Sequence, residues 1–244
     1  MHETEIWPTR LFNEHLAGLG NWLLSLAHQQ AADPAHPWQN FIVMQLLVVA
    51  VIVVLFALLR TQLSVDRPGK LQHTFETIYL FLHDSAKENI AEHAESHVFV
   101  FGTLFIFILF SNLIGVIPGL ESPTQVPYVP AGCAMMAFLY YNYVGLKHNK
   151  FGYLKHFTGN VWWLMPLMLP IEIASHLARP LSLTVRLFAN MFAGEKLTLV
   201  FLSLTYFLVP AAFMGLHVFV ALIQAYVFAL LTTMYVAGAS AHEH

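Results

Sequence analysis

The sequence predicts an all-helical protein that crosses a membrane several times. Of its 244 residues, 57% are hydrophobic and only 10% are Asp, Glu, Lys or Arg, whereas an average soluble domain contains about 25% of these charged residues. The mean hydropathy is +0.62. So few charges cannot cover a water-facing surface, and lipid requires the chain to satisfy its own backbone hydrogen bonds. Together these observations favour membrane-spanning helices over a soluble fold.

The composition also excludes several functions. The net charge is −3 and the sequence has no basic stripe, which is unlike a nucleic-acid-binding protein. The single cysteine, Cys133, rules out a disulfide framework and a thiolate metal cage. We therefore predict no nucleic-acid partner, no metal and no cofactor.

Residues 1–38 are predicted to form an external N-terminal arm, and residues 39–244 a single helical membrane domain. The mildly apolar stretch from Gly18 to Ala27 is too short for a secretory signal and lacks its flanking charges. The first span runs from Phe41 to Leu59, and its 19 residues match a hydrocarbon core of about 30 Å. The densest run of cations in the chain follows this span: Arg60, Arg67, Lys70 and Lys87. By the positive-inside rule this loop is cytoplasmic, so the N-terminus is outside.

A helix along the membrane surface and four more crossings are predicted after this loop. The surface helix is indicated by apolar residues at helical spacing, namely Leu71, Phe75, Ile78, Tyr79 and Leu82. The crossings run from Val98 to Ile117, from Ala131 to Leu146, from Ile171 to about Leu208, and from Ala211 to Ala237. We expect Pro170 to end a short apolar segment and Pro210 to break the chain between the last two crossings. Five crossings place the C-terminus in the cytoplasm.

The fourth crossing carries a polar face. Glu172, Arg179 and Arg186 are seven residues apart and therefore lie on nearly the same side of a helix. Ser182 and Asn190 stand four residues before and after Arg186, on the same side. A polar face inside so apolar a protein requires an explanation, because charge in lipid is costly.

Arg186 is the residue of this face that points most strongly to function. Arg179 and Lys196 can be explained by side chains that reach the membrane surface from near the helix ends, and Glu172 by a local ion pair. Arg186 lies too deep for that explanation, and an arginine at the centre of a membrane helix costs roughly 2.5–3.5 kcal/mol on insertion scales. We therefore interpret Arg186 as a functional residue.

The last crossing supplies two further candidates, His217 and Gln224, which are seven residues apart and share a face. With a turn near Pro210, Glu195 would lie 15 residues before the turn and His217 only seven after it, so we expect an imperfect match in depth. A lone histidine on an apolar helix is often structural. A glutamate and a histidine on facing helices deep in a membrane are better interpreted as proton-handling groups.

Three stretches of the sequence resemble subunit a of rotary F-type ATP synthases. The longest is the run Leu177-Ala-Arg-Pro-Leu-Ser-Leu-Thr-Val-Arg-Leu-Phe-Ala-Asn-Met-Phe-Ala-Gly-Glu195, which is similar to the signature of that family. The others are Ser111-Asn-Leu-Ile-Gly-Val-Ile-Pro-Gly119, which contains Asn112, and Leu222-Ile-Gln-Ala-Tyr-Val-Phe228. The external loop keeps Pro123-Thr124 but lacks the Asp and Asn that follow in many relatives, so we assign no function to residues 119–130.

The resemblance implies a non-catalytic stator subunit that forms two offset half-channels and delivers protons to the carboxylates of a rotating ring of subunit c. The family's essential arginine, which prevents leakage, matches Arg186. The family's other ion-translocation positions match Asn190, Glu195, His217 and Gln224, and its supporting polar positions match Asn112, Glu172, Arg179 and Ser182. The resemblance also implies that the last two helices form a long tilted hairpin. The partners that it implies include the c-ring, peripheral-stalk subunit b and other ATP synthase subunits in a bacterial plasma membrane.

Two other functions fit parts of the sequence. A stand-alone proton-coupled transporter could use Arg186, Glu195 and His217 to bind a substrate anion. An intramembrane metallopeptidase is suggested by His93-Ala-Glu95-Ser-His97, but that order differs from the His-Glu-x-x-His arrangement of such enzymes. We interpret that segment as a solvated interfacial helix, and the tail His242-Glu243-His244 as a frayed end.

Overall fold

A computed structural model describes residues 5–26, 33–64, 68–90, 94–117, 119–149, 165–204 and 208–240. Within these ranges the regular structure is entirely helical, which confirms the predicted all-α class. The α-helices are α1 (Trp7–Leu26), α2 (Asn40–Gln62), α3 (Lys70–Asn89), α4 (Ala94–Ile114), α5 (Tyr128–Asn149), α6 (Met165–Leu204) and α7 (Leu208–Ser240), and a short 3₁₀ helix covers Pro123–Gln125.

Four of the described helices, α2, α4, α6 and α7, are long and apolar enough to cross a membrane. They correspond to four of the five predicted crossings. The remaining one, α5, has 22 residues and is also long enough. It is less apolar, because residues 140–143 consist of three tyrosines and Asn142. Its crossing of the membrane stays a prediction.

The core lies among α4, α5, α6 and α7: α7 contacts each of the other three helices, and α5 also contacts α6. Its central side chains are almost completely buried and come from all four helices: Ile108, Ala137, Leu187, Met191 and Phe228. A second cluster around Phe101, Tyr141 and Val236 continues the core along α4, α5 and α7. Helix α3 packs against α4 and α7 through Leu82 and Ala86, in the region of the predicted surface helix.

The N-terminal arm contains a helix that docks onto the segment before α2. Asn13 is buried and pairs with the backbone of Trp38 in both directions: its Oδ1 accepts from the Trp38 N–H at 3.0 Å and its Nδ2 donates to the Trp38 carbonyl at 3.3 Å. The indole of Trp38 donates to the carbonyl of Leu16 at 2.9 Å, where α1 departs from helical geometry. This carbonyl is therefore satisfied from outside the helix. The external location of the arm stays a prediction.

Helix α6 runs for 40 residues without the expected end at Pro170 and also contains Pro180. The N–H that Pro170 lacks would have paired with Pro166, in the first turn, so only one hydrogen bond near the helix end is lost. At a rise of 1.5 Å per residue, α6 is about 60 Å long, roughly twice the hydrocarbon thickness. This length fits the expected long hairpin helix.

The predicted break at Pro210 was also wrong. Helix α6 ends at Leu204 and α7 begins at Leu208, so Pro210 is the third residue of α7. The first four N–H groups of a helix have no partner within the helix, and a proline is therefore tolerated there. Pro210 therefore belongs to the first turn of α7 and does not mark the break between the last two helices.

Candidate functional site

Glu195 and His217 lie at the same depth in the hairpin of α6 and α7. Glu195 lies nine residues before the last residue of α6, and His217 lies nine residues after the first residue of α7. The expected difference in depth between Glu195 and His217 is therefore wrong. Gly194 allows the ring of His217 to lie close to the backbone of α6, because a Cβ atom at position 194 would lie only 3.3 Å from Nδ1 of His217.

The two predicted amide residues meet directly. The Nδ2 of Asn190 donates to Oε1 of Gln224 at 2.9 Å. Gln224 is buried, at 4% exposure, whereas Asn190 is exposed. This hydrogen bond joins α6 to α7 one turn away from Arg186 along α6. It fixes which face of each helix lies against the other.

Arg186 is partly exposed, and it has no hydrogen bond or ion pair with any residue that the structure describes. Besides Asn190, three small exposed residues lie beside it on this side of α6: Ser182, Ala189 and Ala193. Such a surface lets the backbone of another helix come close. The guanidinium thus lies at the edge of an outward-facing strip of α6.

Glu195 points to a different part of the molecule. It follows Arg186 by nine residues, or two and a half helical turns, and so lies on the opposite side of α6. It is 9% exposed, and its Oε2 has no hydrogen-bond partner among the described residues. The carboxylate lies on the helix against which the loop with the 3₁₀ helix Pro123–Gln125 packs, and the negative charge of Glu121 in this loop acts on it.

The external loop is held in place by a buried polar network that includes Asn112. The Oγ1 of Thr124 donates to Oδ1 of Asn112 at 2.6 Å, and the Oγ of Ser122 donates to the carbonyl of Ser111 at 2.8 Å. Within the described ranges, the Nδ2 of Asn112 and the Oγ of Ser111 are buried without partners. Within the same ranges, the Oε2 of Glu195 and the Nε2 of His217 are also buried without partners.

This loop is the part of the site that the sequence analysis missed. The sequence offers two signals for it: the Ser111-Asn112 pair in an otherwise apolar helix, and Pro123-Thr124. In the structure Thr124 hydrogen-bonds to Asn112. The two parts are 12 residues apart in sequence, and neither one predicts that the loop folds back over α6.

The remaining polar positions of α6 lie toward its N-terminal end. The guanidinium carbon of Arg179 lies 5.3 Å from the ring centroid of Tyr235 and 5.8 Å from that of Tyr141, a cation–π arrangement. One turn earlier, His176 is buried and its Nε2 hydrogen-bonds to the Oδ1 of Asn142 at 2.9 Å. Glu172 is partly exposed and Ser182 is exposed. His176, Tyr141 and Asn142 were not among the predicted site residues.

The histidine-rich segment shows no peptidase arrangement in its described part. His97 hydrogen-bonds through Nδ1 to the hydroxyl of Tyr140 at 2.6 Å, and Glu95 is exposed, while His93 lies outside the described residues. Nowhere in the described part of the chain do three or more His, Cys, Asp or Glu residues form a group that could hold a metal ion. The tail His242-Glu243-His244 also lies outside the described residues.

These features define a class of protein: a helical membrane protein with four apolar helices of spanning length. The two longest, α6 and α7, meet along a polar seam that contains Asn190, Glu195, His217 and Gln224. The sequence matches the ATP synthase A chain family over residues 42–237. It is 64% identical over 235 residues to ATP synthase subunit a of Solibacter usitatus, covering 96% of this chain and 100% of that protein. It is 46% identical over 241 residues to ATP synthase subunit a of Koribacter versatilis, covering 98% of each chain.

A third relative, ATP synthase subunit a of Trichlorobacter lovleyi, is 42% identical over 234 residues, which cover 96% of this chain and 98% of the relative. The chain belongs to the ATP synthase A chain family, that is, to subunit a of the membrane sector of F-type ATP synthases.

The contact between Gly115 and the external loop yields a first testable prediction. A Cβ at position 115 would lie 2.7 Å from the Cβ of Ser122 and 3.0 Å from its backbone N, so Gly115→Ala must displace the loop from Glu195. We expect proton-driven ATP synthesis by the assembled complex in membrane vesicles to fall by about tenfold or more. The control is Gly132→Ala, since a Cβ at that position meets no atom within 4 Å. Equal rates in the two variants would contradict the prediction.

Proposed function

We propose that this chain is the non-catalytic stator subunit of a proton-translocating ATP synthase. In this proposal it forms two offset half-channels that carry protons to and from the carboxylates of a rotating c-ring, and Arg186 prevents leakage between them. The observation that carries the proposal is the position of Arg186. It has no partner among the described residues, and it lies on the exposed side of the polar seam between α6 and α7.

One half-channel would lie beside Glu195 and His217 and lead to the loop that packs against α6. A proton path needs polar groups that can exchange hydrogen-bond partners, and the buried atoms without partners in this region meet that need. The hydrogen-bonded pair of Asn190 and Gln224 would separate this path from Arg186. The other half-channel would open toward the N-terminal end of α6, where Glu172, Arg179 and Ser182 follow the same helix.

The chemistry of arginine suits the role of Arg186. A ring carboxylate must be neutral when it faces lipid, because an anion there is prohibitively costly. When it reaches Arg186, the fixed positive charge favours its deprotonated form. The same charge repels a proton that would otherwise pass directly from one half-channel to the other. A guanidinium stays protonated in any protein environment, whereas a lysine can lose its proton when buried.

The outward strip of Ser182, Ala189 and Ala193 supports the ring as a partner, since small side chains allow close packing of membrane helices. Each proton that crosses a potential of 100 mV releases about 2.3 kcal/mol, which the ring would transmit as torque. We further propose that peripheral-stalk subunit b and other ATP synthase subunits complete the complex. It would lie in a bacterial inner membrane, with the N-terminus outside and the C-terminus cytoplasmic.

The direct test of the proposal is Arg186→Ala in the assembled complex. Without the guanidinium, the ring carboxylate loses the charge that favours its deprotonation, and nothing repels a proton that crosses between the half-channels. We expect ATP-driven proton pumping and proton-driven synthesis to fall below detection in inverted vesicles, while passive proton conductance rises.

The matched control is Arg60→Ala, which removes an exposed arginine from α2 and should leave coupled synthesis intact. Coupled synthesis in the Arg186→Ala complex would refute the stator assignment. A stand-alone transporter predicts turnover in vesicles that contain this chain alone, whereas the stator proposal predicts none, because the proton-carrying carboxylates belong to the ring.

Glu195→Gln tests proton transfer through Glu195 separately from the barrier to leakage at Arg186. The substitution keeps the size and the hydrogen-bonding capacity of the side chain but removes its ability to take up a proton. We expect proton flux through the complex to fall by roughly 100-fold, at the lower end of the range for a positioned proton-transfer group. No leak comparable to that of Arg186→Ala should appear. Wild-type flux in Glu195→Gln, measured across a range of pH, would exclude Glu195 from the relay.

A further inference from the structure

We propose that Glu121 is the outermost proton-exchanging group of the external half-channel: it takes up protons at the surface and passes them to Glu195. This inference rests on the proposed function. No function was assigned to the loop that contains Glu121. The structure brings this loop against the middle of the polar seam.

The position of Glu121 is fixed by a buried amide. The Nδ2 of Asn40 donates to Oε2 of Glu121 at 3.3 Å, and Asn40 is only 6% exposed. Asn40 is itself oriented from the other side, because its Oδ1 accepts from the backbone N–H of Ile6 at 3.4 Å. Glu121 is partly exposed. Its carboxylate therefore reaches the surface while one of its oxygens is held by the protein.

The loop connects Glu121 to Glu195. The 3₁₀ helix Pro123–Gln125 begins two residues after Glu121 and packs against α6, the helix that carries Glu195. Glu195 is buried and its Oε2 has no described partner, so one of its oxygens is available to accept a proton. Glu121 is partly exposed, and its charge acts on Glu195.

The transfer that we propose moves only a proton. A hydronium ion at the surface protonates the Glu121 carboxylate and leaves as water. The proton then passes to the Glu195 carboxylate, directly or through one water molecule, and Glu121 becomes an anion again. Because two nearby carboxylates resist being ionised together, protonation of one favours the anionic form of the other. The proton is therefore shared between them at little cost.

The other charged groups around Glu121 do not offer the same route. The carboxylate of Glu5 pairs with Nδ1 of His36 at 2.8 Å, on the arm. Lys196 follows Glu195 on α6 and carries a positive charge, which opposes the approach of a proton. Among the described residues, we therefore assign the route from the surface to Glu195 to the segment from Glu121 to Gln125.

The test is Glu121→Gln in the complete ATP synthase reconstituted into vesicles, with the external face of the chain toward the vesicle lumen. We expect the initial rate of proton-driven ATP synthesis to fall about tenfold. This loss is smaller than is typical for a positioned proton-transfer group, because water still reaches the mouth of the channel. Raising the concentration of a membrane-impermeant phosphate buffer in the lumen should restore much of the rate, since the buffer can then deliver protons in place of Glu121.

Two variants complete the design. Glu121→Asp keeps the carboxylate and should retain more than half of the wild-type rate. Glu14→Gln removes an exposed carboxylate from α1 and should match the wild type at every buffer concentration.

The inference is overturned if Glu121→Gln supports the wild-type rate. It is also overturned if Glu121→Gln and Glu121→Asp lose activity equally and without rescue by buffer, because Glu121 would then only anchor the loop through Asn40. A normal rate in Glu121→Gln beside a leaking Arg186→Ala complex would reject this inference alone. An Arg186→Ala complex that stays coupled would reject the proposed function itself.

Discussion

The close approach of α6 and α7 is the constraint on which the rest of the structure depends. Polar side chains within an apolar membrane protein carry a cost that contacts with neighbouring segments reduce. Here Gly194 allows the ring of His217 to lie against α6, and Asn190 hydrogen-bonds to Gln224 nearby. These contacts fix the register of two helices of 40 and 33 residues. The depth of every other polar group in the seam follows from that register.

The register also directs two charged side chains of α6 to different surroundings. Arg186 and Glu195 lie on opposite sides of α6 because nine residues correspond to two and a half turns. The arginine is therefore directed to an outward strip that includes small side chains, and the glutamate to the loop that packs against α6. The proposed barrier to leakage and the proposed proton path through Glu195 require such different directions.

Much of this arrangement could be predicted from the sequence, because it depends on local patterns. Apolar runs predict the helices, and the seven-residue spacing of Glu172, Arg179 and Arg186 predicts a polar face. The depth match between Glu195 and His217 could not be predicted, since the pattern marks Pro210 as a break without showing that it stands in the first turn of α7. The docking of the external loop and the contact of Arg179 with two tyrosine rings depend on residues distant in sequence.

The most direct test of the central claim, that Arg186 faces the rotor, is a cross-link beside it. Ala189→Cys lies on the exposed strip next to Arg186, and a disulfide forms only when two Cβ atoms approach to about 3.5–4.5 Å. A second cysteine would stand beside the ring carboxylate of subunit c in the complete complex. The account predicts a rapid cross-link from Ala189→Cys and none from Leu181→Cys, which lies on a different exposed side of α6. A cross-link from Leu181→Cys alone would contradict it.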